Sequence, residues 1–481
     1  MKSIAHLLHQ PESKTLEFKR NLSSPRPILK TLLAFANTSG GRLVIGVEDD
    51  HKIIGIDNAL DEEERLCSFI ADGISPKLVP NIELVTYENK TIIIVEVFVS
   101  GQRPHWLNSE GPELGVYVRL GSSNRRADMA LVAELRRGAE GISFDEMPMP
   151  DLSIDSIDLT SAQTTFSAKR LLDEQALISL KLLTSYQGRL VPTKGAIILF
   201  GTKRELYFPD AWIQCGRFVG LDKAIIFDHI DIHDSLPIAL NSILLFLQKH
   251  AMRSADFSEI QRKDIWSIPL SILREAIVNA LVHADYSQRG APIRISFFDD
   301  RIEIENPGIL LPGMTIEDMK LGISRIRNHI IARVFRELNF IEQWGSGVRR
   351  IFNEAKAQGL PEPEIVEIGM RVRFTLHLAQ PISAKNTEVD LTTELERLES
   401  RLESRLESKL AAKVLLHIKK EAAGKAQLAE HLGHKSVSGE LHKQIKRLLE
   451  LNIIEMTLPE KPNSRLQKYR LTQEGQDLIN Q

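Results

Sequence analysis

Glu12, Glu17 and Lys19 stand in the segment Glu12-Ser13-Lys14-Thr15-Leu16-Glu17-Phe18-Lys19. If Leu16 to Lys19 is a strand, alternation puts Glu17 and Lys19 on one face and Leu16 and Phe18 on the other. A carboxylate and a lysine so placed suit metal-assisted phosphodiester cleavage. The carboxylate holds a hard cation, and the lysine stabilises charge at the attacked phosphate. Asp49, with Glu48 as its competitor, follows a strand. Glu12, Glu17 and Asp49 could then converge on Mg²⁺ or Mn²⁺. The same residues also read as an exposed strand with ordinary surface ion pairs.

A second constellation lies in Arg274-Glu275-Ala276-Ile277-Val278-Asn279-Ala280. On a helix, Glu275 and Asn279 share one face, one turn apart, and His283 continues the stripe. Such a pair can serve a nucleotide, the Glu activating water and the Asn holding Mg²⁺ at the phosphates. It is also a common pair on any helix. Asn306 and Gly308 follow a strand, and Gly345-Ser346-Gly347 offers backbone that can approach phosphate. No Gly-x-x-x-x-Gly-Lys-Ser/Thr loop occurs, which argues against a P-loop motor.

These groups need elements to position them, and the pattern supplies several. Helices are expected over Ile28–Asn37, Glu64–Ile74, Lys169–Thr184, Leu236–His250, Ser271–Val282 and near Arg327–Leu338, with Asp128 capping a helix to about Arg137. Strands are expected over Leu43–Val47, Ile82–Tyr87, Thr91–Val99, Gly115–Leu120, Gly195–Phe200, Trp212–Val219, Pro292–Phe298, Arg301–Glu305 and Arg371–Leu378. The stretch FDEMPMPDLSIDSIDLT reads as a linker. Leu391, Leu395, Leu398, Leu402, Leu406 and Leu410 form one apolar stripe, a helical connector or a self-association helix.

The chain has 481 residues, with 61 Lys+Arg against 64 Asp+Glu, a net charge of -3. Its 43% hydrophobic and 26% charged content exclude chain-wide disorder. Two distant cysteines exclude a disulfide scaffold and fit a reducing compartment. No apolar run is long enough to span a membrane. A cytoplasmic protein is expected, and with near-zero net charge any basic surface must be local.

The run Glu12-Ser13…Leu16-Glu17-Phe18-Lys19, Phe35-Ala36-Asn37-Thr38-Ser39-Gly40-Gly41, Ile45-Gly46-Val47-Glu48-Asp49-Asp50 and Val116-Tyr117-Val118-Arg119-Leu120-Gly121-Ser122-Ser123-Asn124-Arg125 resembles the Alba-type domain of the Schlafen family. The resemblance implies nucleic-acid binding. Some Schlafens are metal-dependent endoribonucleases that cut transfer RNA with two glutamates and a downstream aspartate; Glu12, Glu17 and Asp49 are the matching positions. Arg20, Arg119, Ser122, Arg125 and Arg126 would position phosphates. Likewise REAIVNALVHADY, RIEIENPGIL and IEQWGSGVRRI resemble the divergent GHKL ATP-binding domain of RecG-like proteins. That implies ATP held by Glu275, Asn279, Asn306, Gly308, Gly345 and Gly347. Where the class carries an Asp for the adenine amine, this chain has Asn306-Pro307.

The C-terminal helices Lys413–Lys420, Lys425–Leu432 and Ser438–Leu451, then strands Ile453–Thr457 and Lys468–Leu471, give a winged-helix pattern. His442, Lys443, Lys446, Arg447 and Lys468 are its candidates for nucleic-acid contact. The expectation is a multidomain α/β (α+β) protein. Its parts are a Schlafen-type domain at 1–140, a linker and middle α+β scaffold at 141–265, and a GHKL-like α/β sandwich at 266–378. A linker with the leucine-striped helix at 379–410 and a winged helix at 411–481 follow. The expected function is an ATP-responsive, DNA-binding transcriptional regulator, with no membrane association and homo-oligomeric in even number. The alternative is a metal-dependent endoribonuclease acting on tRNA in phage defence.

Overall fold

The structure is a computed structural model. It describes residues 4–166, 170–256, 263–341, 347–379, 399, 401–403, 405–406, 408–420, 422–432, 437–460, 464 and 467–480. Lys169, Gly345, Ser346, the linker from 380 to 390, and Leu391, Leu395 and Leu398 therefore lie outside the described residues. The chain divides into two compact units, Met1–Pro381 and Ile382–Gln481.

The first unit opens with strand β1 (Leu16–Lys19), helix α1 (Pro25–Asn37), strand β2 (Gly41–Ile45), helix α2 (Ala59–Gly73) and the hairpin β3 (Asn81–Tyr87) and β4 (Lys90–Val97). The sheet order is β1-β2-β4-β3, with β1 parallel to β2 and the other pairs antiparallel. The expected alternation in β1 holds. Leu16 and Phe18 enter an apolar cluster with Val44, Val47 and Ile92, and Glu17 and Lys19 face the other way. On the opposite face α1 buries Ile28, Leu32, Leu33 and Phe35 against Leu43, Ile45, Ile93 and Val95. A short hairpin follows, β5 (Tyr117–Leu120) and β6 (Ser123–Arg126), then helix α3 (Met129–Ala139). Asp128 caps α3 as expected, accepting from the Leu131 N–H at 2.8 Å.

A six-stranded mixed sheet is the largest sheet of this unit. Its strands are β7 (Ile213–Val219), β8 (Ile225–Ile232), β9 (Ile293–Phe297), β10 (Arg301–Pro307), β11 (Glu364–Ile368) and β12 (Arg371–His377). The order is β8-β7-β9-β10-β12-β11, and only β7 and β9 run parallel. One sheet thus joins strands from both sides of residue 265. Local patterning locates strands, but partners a hundred residues apart are chosen by tertiary packing.

Two expected elements change type. Gly195–Phe200 is not a strand; it lies in helix α4 (Lys194–Phe200), capped by Thr193, which accepts from the Ala196 N–H at 3.2 Å. Every residue from Gly195 to Phe200 is buried, so the run has no periodicity to separate a helix from a strand. In the described part of Lys169–Thr184, only Glu174–Ser179 is helical, and Leu183–Tyr186 pairs with Arg189–Pro192 in a hairpin. Helices α5 (Leu236–Ala251), α6 (Leu270–His283), α7 (His329–Glu337) and α8 (Gly347–Ala357) belong to the same unit. Helices α5 and α6 pack on the sheet and on each other, and α8 packs on α6.

The stretch read as a linker is built into this fold. The carboxylate of Asp145, fully buried, accepts the backbone N–H groups of His329, Ile330 and Ile331 at 3.1, 2.7 and 3.0 Å. It thus satisfies the open N-terminus of α7. Burial pushes its carboxyl above the usual range, opposed by Ser143 and those amides.

In the second unit, helices α9 (Lys409–Lys420), α10 (Lys425–His431) and α11 (Gly439–Glu450) precede an antiparallel pair, β13 (Ile454–Met456) and β14 (Tyr469–Leu471), and helix α12 (Gln473–Asn480). Leu402 and Leu406 are buried in this unit's core with Leu415, Ile418, Leu441 and Ile445. The described part of the leucine stripe is therefore consumed within its own unit rather than offered to a partner. Among the described residues no helix is long and apolar enough to cross a membrane.

Two measurements test these ties. Asp145→Ala leaves buried amides at the start of α7 unpaired and should cost roughly 2–4 kcal/mol in denaturant unfolding. Glu146 gives a pH signature. Burial alone would raise its carboxyl, but hydrogen bonds from Lys181, His329 and Ser143 outweigh this and bring it from 4.5 to about 2. A depressed carboxylate adds stability above its unfolded value, and that stability is lost as pH falls. Between pH 4.5 and about 2, wild type should therefore lose more stability than Glu146→Gln. Parallel acid titrations of the two proteins would contradict this.

Candidate functional sites: a basic cleft and a nucleotide-sized cavity

Strand β1 presents Glu17, with its side chain 9% exposed, between two cations. Lys19 Nζ donates to Oε1, and Arg119 Nη2 donates to Oε2 at 2.5 Å. Arg119 itself is 1% exposed. Its Nε and Nη2 reach the Ser13 carbonyl at 3.1 and 3.0 Å, and its Nη1 reaches Asn124 Oδ1 at 3.1 Å. Asn124 Nδ2 then donates to Thr31 Oγ1 at 2.8 Å. One continuous network joins β1, the hairpin β5–β6 and α1.

This geometry revises two expectations. Arg119 is not a surface phosphate contact, because its donors are spent on buried partners. Nor are Glu12, Glu17 and Asp49 gathered as a group of metal ligands in this structure. Both Glu17 oxygens hold cations, and Glu12 Oε1 accepts from the Phe18 N–H at 2.9 Å. Asp49 is exposed, while its neighbour Glu48 pairs with Arg20 at 3.2 Å. Among the described residues no group of three or more His, Cys, Asp and Glu side chains is placed to hold a metal ion.

What the network does build is a cleft of about 320 Å³, lined by Glu17, Lys19, Arg26, Lys30, Thr31 and Asn124. Glu110 holds its rim together. It pairs with Arg26 at 2.6 Å, Arg126 at 3.3 Å and Lys30 at 3.9 Å, and accepts from the Tyr117 hydroxyl at 2.8 Å. The Arg26 hydrogen bond, chiefly, holds its carboxyl below the usual range, against the effect of burial. Lys19, Arg26 and Lys30 in the lining, Arg126 at the rim and the buried Arg119 beneath stand against two carboxylates, Glu17 and Glu110, a surplus of positive charge suited to phosphate. Ser122 and Arg125 lie exposed on the same hairpin. Arg26 and Lys30 were legible as a basic pair one turn apart on α1.

The second site is a cavity of about 450 Å³ between α6, α8 and the sheet, a size that suits a small organic ligand. Val278, Val282, Ile304, Ile351, Ile365 and Phe374 form its apolar wall, and Arg325, Arg327, Arg336 and Arg350 supply its cations. Of the residues expected at a nucleotide, Glu275, Asn279, Asn306, Gly308 and Gly347 all line it; Gly345 lies outside the described residues.

Asn279 Nδ2 donates to Glu275 Oε1 at 3.1 Å and to the Glu275 carbonyl at 2.8 Å. Arg350 donates to Glu275 Oε2. Gly347 opens α8 directly against this pair, where a Cβ would run into the Glu275 carboxylate. Gly308 has φ +99°, and a Cβ there would crowd Asp285 and the Arg327 guanidinium. His283 in the cavity wall is kept neutral, burial depressing it to about 4. Asn306 Nδ2 donates to the Ala280 carbonyl at 2.8 Å. A carbonyl only accepts, so that bond fixes which amide atom is nitrogen. Oδ1 is buried and has no partner among the described residues.

In the C-terminal unit, His442, Lys443 and Lys446 are exposed on α11, Arg447 is half-buried, and Lys468 is exposed beside β14. Lys425 Nζ lies 3.2 Å from His442 Nδ1, and Lys446 lies 3.8 Å from Glu450.

Comparison with known proteins agrees with two of these assignments. Residues 12–128 match the family Schlafen, AlbA_2. Residues 290–376 match HATPase_c_4, described as the ATP-dependent DNA helicase recG C-terminal region. Residues 411–472 match the C-terminal domain of Fic-like proteins, Fic standing for filamentation induced by cAMP. The Schlafen and RecG-like resemblances are thus borne out, and the chain carries nucleic-acid-related and ATPase-type domains. No curated protein matches the chain. Among solved structures, the DIP2311 protein from Corynebacterium diphtheriae is 20% identical, with 97% of this chain and 94% of that chain covered, at a TM-score of 0.42. The N-terminal domain of a RecG-related protein from Nitrosomonas europaea is 27% identical, with 27% and 95% covered, at a TM-score of 0.22.

The cleft's foundation can be tested by replacement. Arg119→Met leaves the Glu17 carboxylate buried with half its compensation and should destabilise the protein by roughly 3–5 kcal/mol. Adding Glu17→Met should recover part of that loss. A double variant no more stable than the single one would show that the pair is not the anchor.

Proposed function

We propose that this protein is a nucleic-acid-binding regulator whose cavity senses an adenine nucleotide. The observation that carries the nucleotide reading is the buried Asn306 Oδ1 in the cavity wall, which has no partner among the described residues. A buried acceptor without a donor is costly, so its presence points to a ligand that donates. The exocyclic amine of adenine is such a donor, and a guanine carbonyl at that position is not. Asn306 can thus fill the recognition role that the sequence comparison left open, through an amide rather than a carboxylate. The arginines would face the phosphates, and Asn279 would hold the accompanying Mg²⁺, which neutralises phosphate charge when bound.

Glu275 is engaged by Arg350 and Asn279 on its two oxygens. A general base must be free to take a proton, so this arrangement favours holding a nucleotide over turning it over. The nucleic-acid reading rests on the basic cleft. Lys19, Arg26 and Lys30 are positioning groups for a phosphodiester backbone rather than readers of bases. The same logic makes α11 a recognition helix and β13–β14 a wing, with His442, Lys443, Lys446, Arg447 and Lys468 turned to nucleic acid. The internal pairing of Glu17 gives no support to a nuclease centre.

Calorimetry with Mg²⁺-ATP tests the first claim. Asn306→Ala should weaken ATP binding about tenfold, the value of one hydrogen bond to a buried group, and reduce discrimination against GTP. Equal affinities for ATP and GTP in wild type would remove Asn306 from that role. For the cleft, Lys30→Ala should weaken oligonucleotide binding and lower the slope of log affinity against log salt by about 1. An unchanged slope would place the phosphates elsewhere.

A further inference from the structure

The cavity and the basic cleft share a structural element, the loop Gly308–Met314. From one side it lines the cavity through Gly308, Ile309, Leu310, Leu311 and Met314. From the other it belongs to the N-terminal domain. Ile309 is 4% exposed and packs in one cluster with Val116 and Val118 of the β5 segment and Leu131 and Leu135 of α3. The Gly313 N–H donates to the Thr38 carbonyl at 2.7 Å, and Ser39 Oγ donates to the Met314 carbonyl at 3.0 Å. The Leu310 N–H donates to Glu367 Oε1 at 2.8 Å, and the same carboxylate holds Lys14 at 2.8 and 2.6 Å. Lys14 lies just ahead of β1, so each end of the loop is tied to the scaffold of the cleft.

Arg327 stands between the cavity and helix α3. Its guanidinium lines the cavity, yet it is only 8% exposed. One nitrogen donates to Glu134 on α3 and the other to the Ile309 carbonyl of the shared loop. Burial lowers Arg327 to about 10, so it keeps its charge at neutral pH. Glu134 Oε2 is buried without a partner among the described residues, which leaves the Arg327 contact as the one shown compensation for that carboxylate. A phosphate entering the cavity is a strong acceptor for a guanidinium. If it draws Arg327 away, Glu134 is left charged and unpaired in a buried position, a costly state. Helix α3 would then lose the partner of Glu134, and α3 begins directly after the hairpin that carries Asn124, Arg125 and Arg126.

We propose that a nucleoside triphosphate in the cavity and a nucleic acid on the basic cleft are antagonists, because the nucleotide phosphates and Glu134 compete for Arg327. Binding of one loosens the element that orders the site of the other. This inference rests on the nucleotide and nucleic-acid readings above and adds the sign and the route of their coupling. A ligand shifts an equilibrium only through different interactions with its two states, and Arg327 paired with Glu134 or with phosphate supplies that difference.

The test uses the full chain. The affinity for Mg²⁺-ATP is measured by calorimetry with and without a saturating single-stranded oligonucleotide. The affinity for the labelled oligonucleotide is measured by anisotropy with and without Mg²⁺-ATP. Each ligand should weaken the other by the same factor, roughly fivefold or more, since linkage is reciprocal. Glu134→Gln removes the competing charge; it should bind Mg²⁺-ATP alone more tightly than wild type, keep the oligonucleotide affinity, and bring the factor close to one. If both ligands bind wild type with affinities that ignore each other, the antagonism is overturned while the proposed function stands. Coupling that persists unchanged in Glu134→Gln would overturn the route. Failure of ATP to bind at all would overturn the proposed function and this inference with it. Should the variant not fold, the wild-type reciprocity alone decides.

Discussion

A buried arginine must have its whole guanidinium satisfied, and the N-terminal domain is organised around that demand at Arg119. Its nitrogens reach Ser13, Leu16, Glu17 and Asn124, and its face lies 5.3 Å from the centre of the Phe35 ring. Its own N–H donates to Thr38 Oγ1 at 2.9 Å. One side chain thereby ties β1, the end of α1 and the β5–β6 hairpin into a single body. A charge taken this far from water is costly unless geometry and partners are complete. Completing them consumes Glu17, which turns a carboxylate that looks catalytic in sequence into part of the framework.

The same constraint reaches the cavity by a different route. Thr38 serves Arg119 through its hydroxyl and the shared loop through its carbonyl, which accepts from Gly313. The loop's other supports, Glu367 and Arg327, are again buried charges with few alternatives. A loop held by surface contacts could move without consequence for its neighbours. This one is held by groups whose partners cannot be replaced by water, so a change at the cavity has to be absorbed by the N-terminal domain. That is the physical meaning of a coupling free energy between two sites.

How much of this was legible in the sequence depended on the range of the interaction. Alternation in Leu16–Lys19, the cap at Asp128 and the Glu275/Asn279 stripe are local, and the structure has them as read. Five of the six residues expected at a nucleotide (Glu275, Asn279, Asn306, Gly308 and Gly347) line one cavity, and Gly345 lies outside the described residues. The type of Gly195–Phe200 was not legible, because a run buried on every side carries no period. Nor was the role of Ser143–Glu146. Asp145 looks like one more acid in a polar linker until α7, far along the chain, delivers its amides. Leu402 and Leu406 show the same limit. Their spacing predicts an apolar stripe, but nothing local says whether a neighbour in the same unit or a second chain covers it.

Cations divide in the same way. Arg119, Arg204, Arg217 and Arg327 are all less than a tenth exposed. Arg204 reaches the carbonyls of Asp234 and His233, and Arg217 pairs with Asp299 at 2.5 Å. Each is consumed by folding. Arg125, Lys443 and Lys468 are exposed and remain available to an anionic partner, and Lys446 is exposed beside Glu450. In composition these residues are indistinguishable, and a net charge of -3 says nothing about which is which. Burial decides. A cation near a backbone carbonyl cluster becomes a bolt, whereas one left at a rim with surplus positive neighbours becomes a phosphate contact. Arg327 belongs to both classes at once, being buried and yet on a cavity wall, and for that reason it can pass a signal from one site to the other.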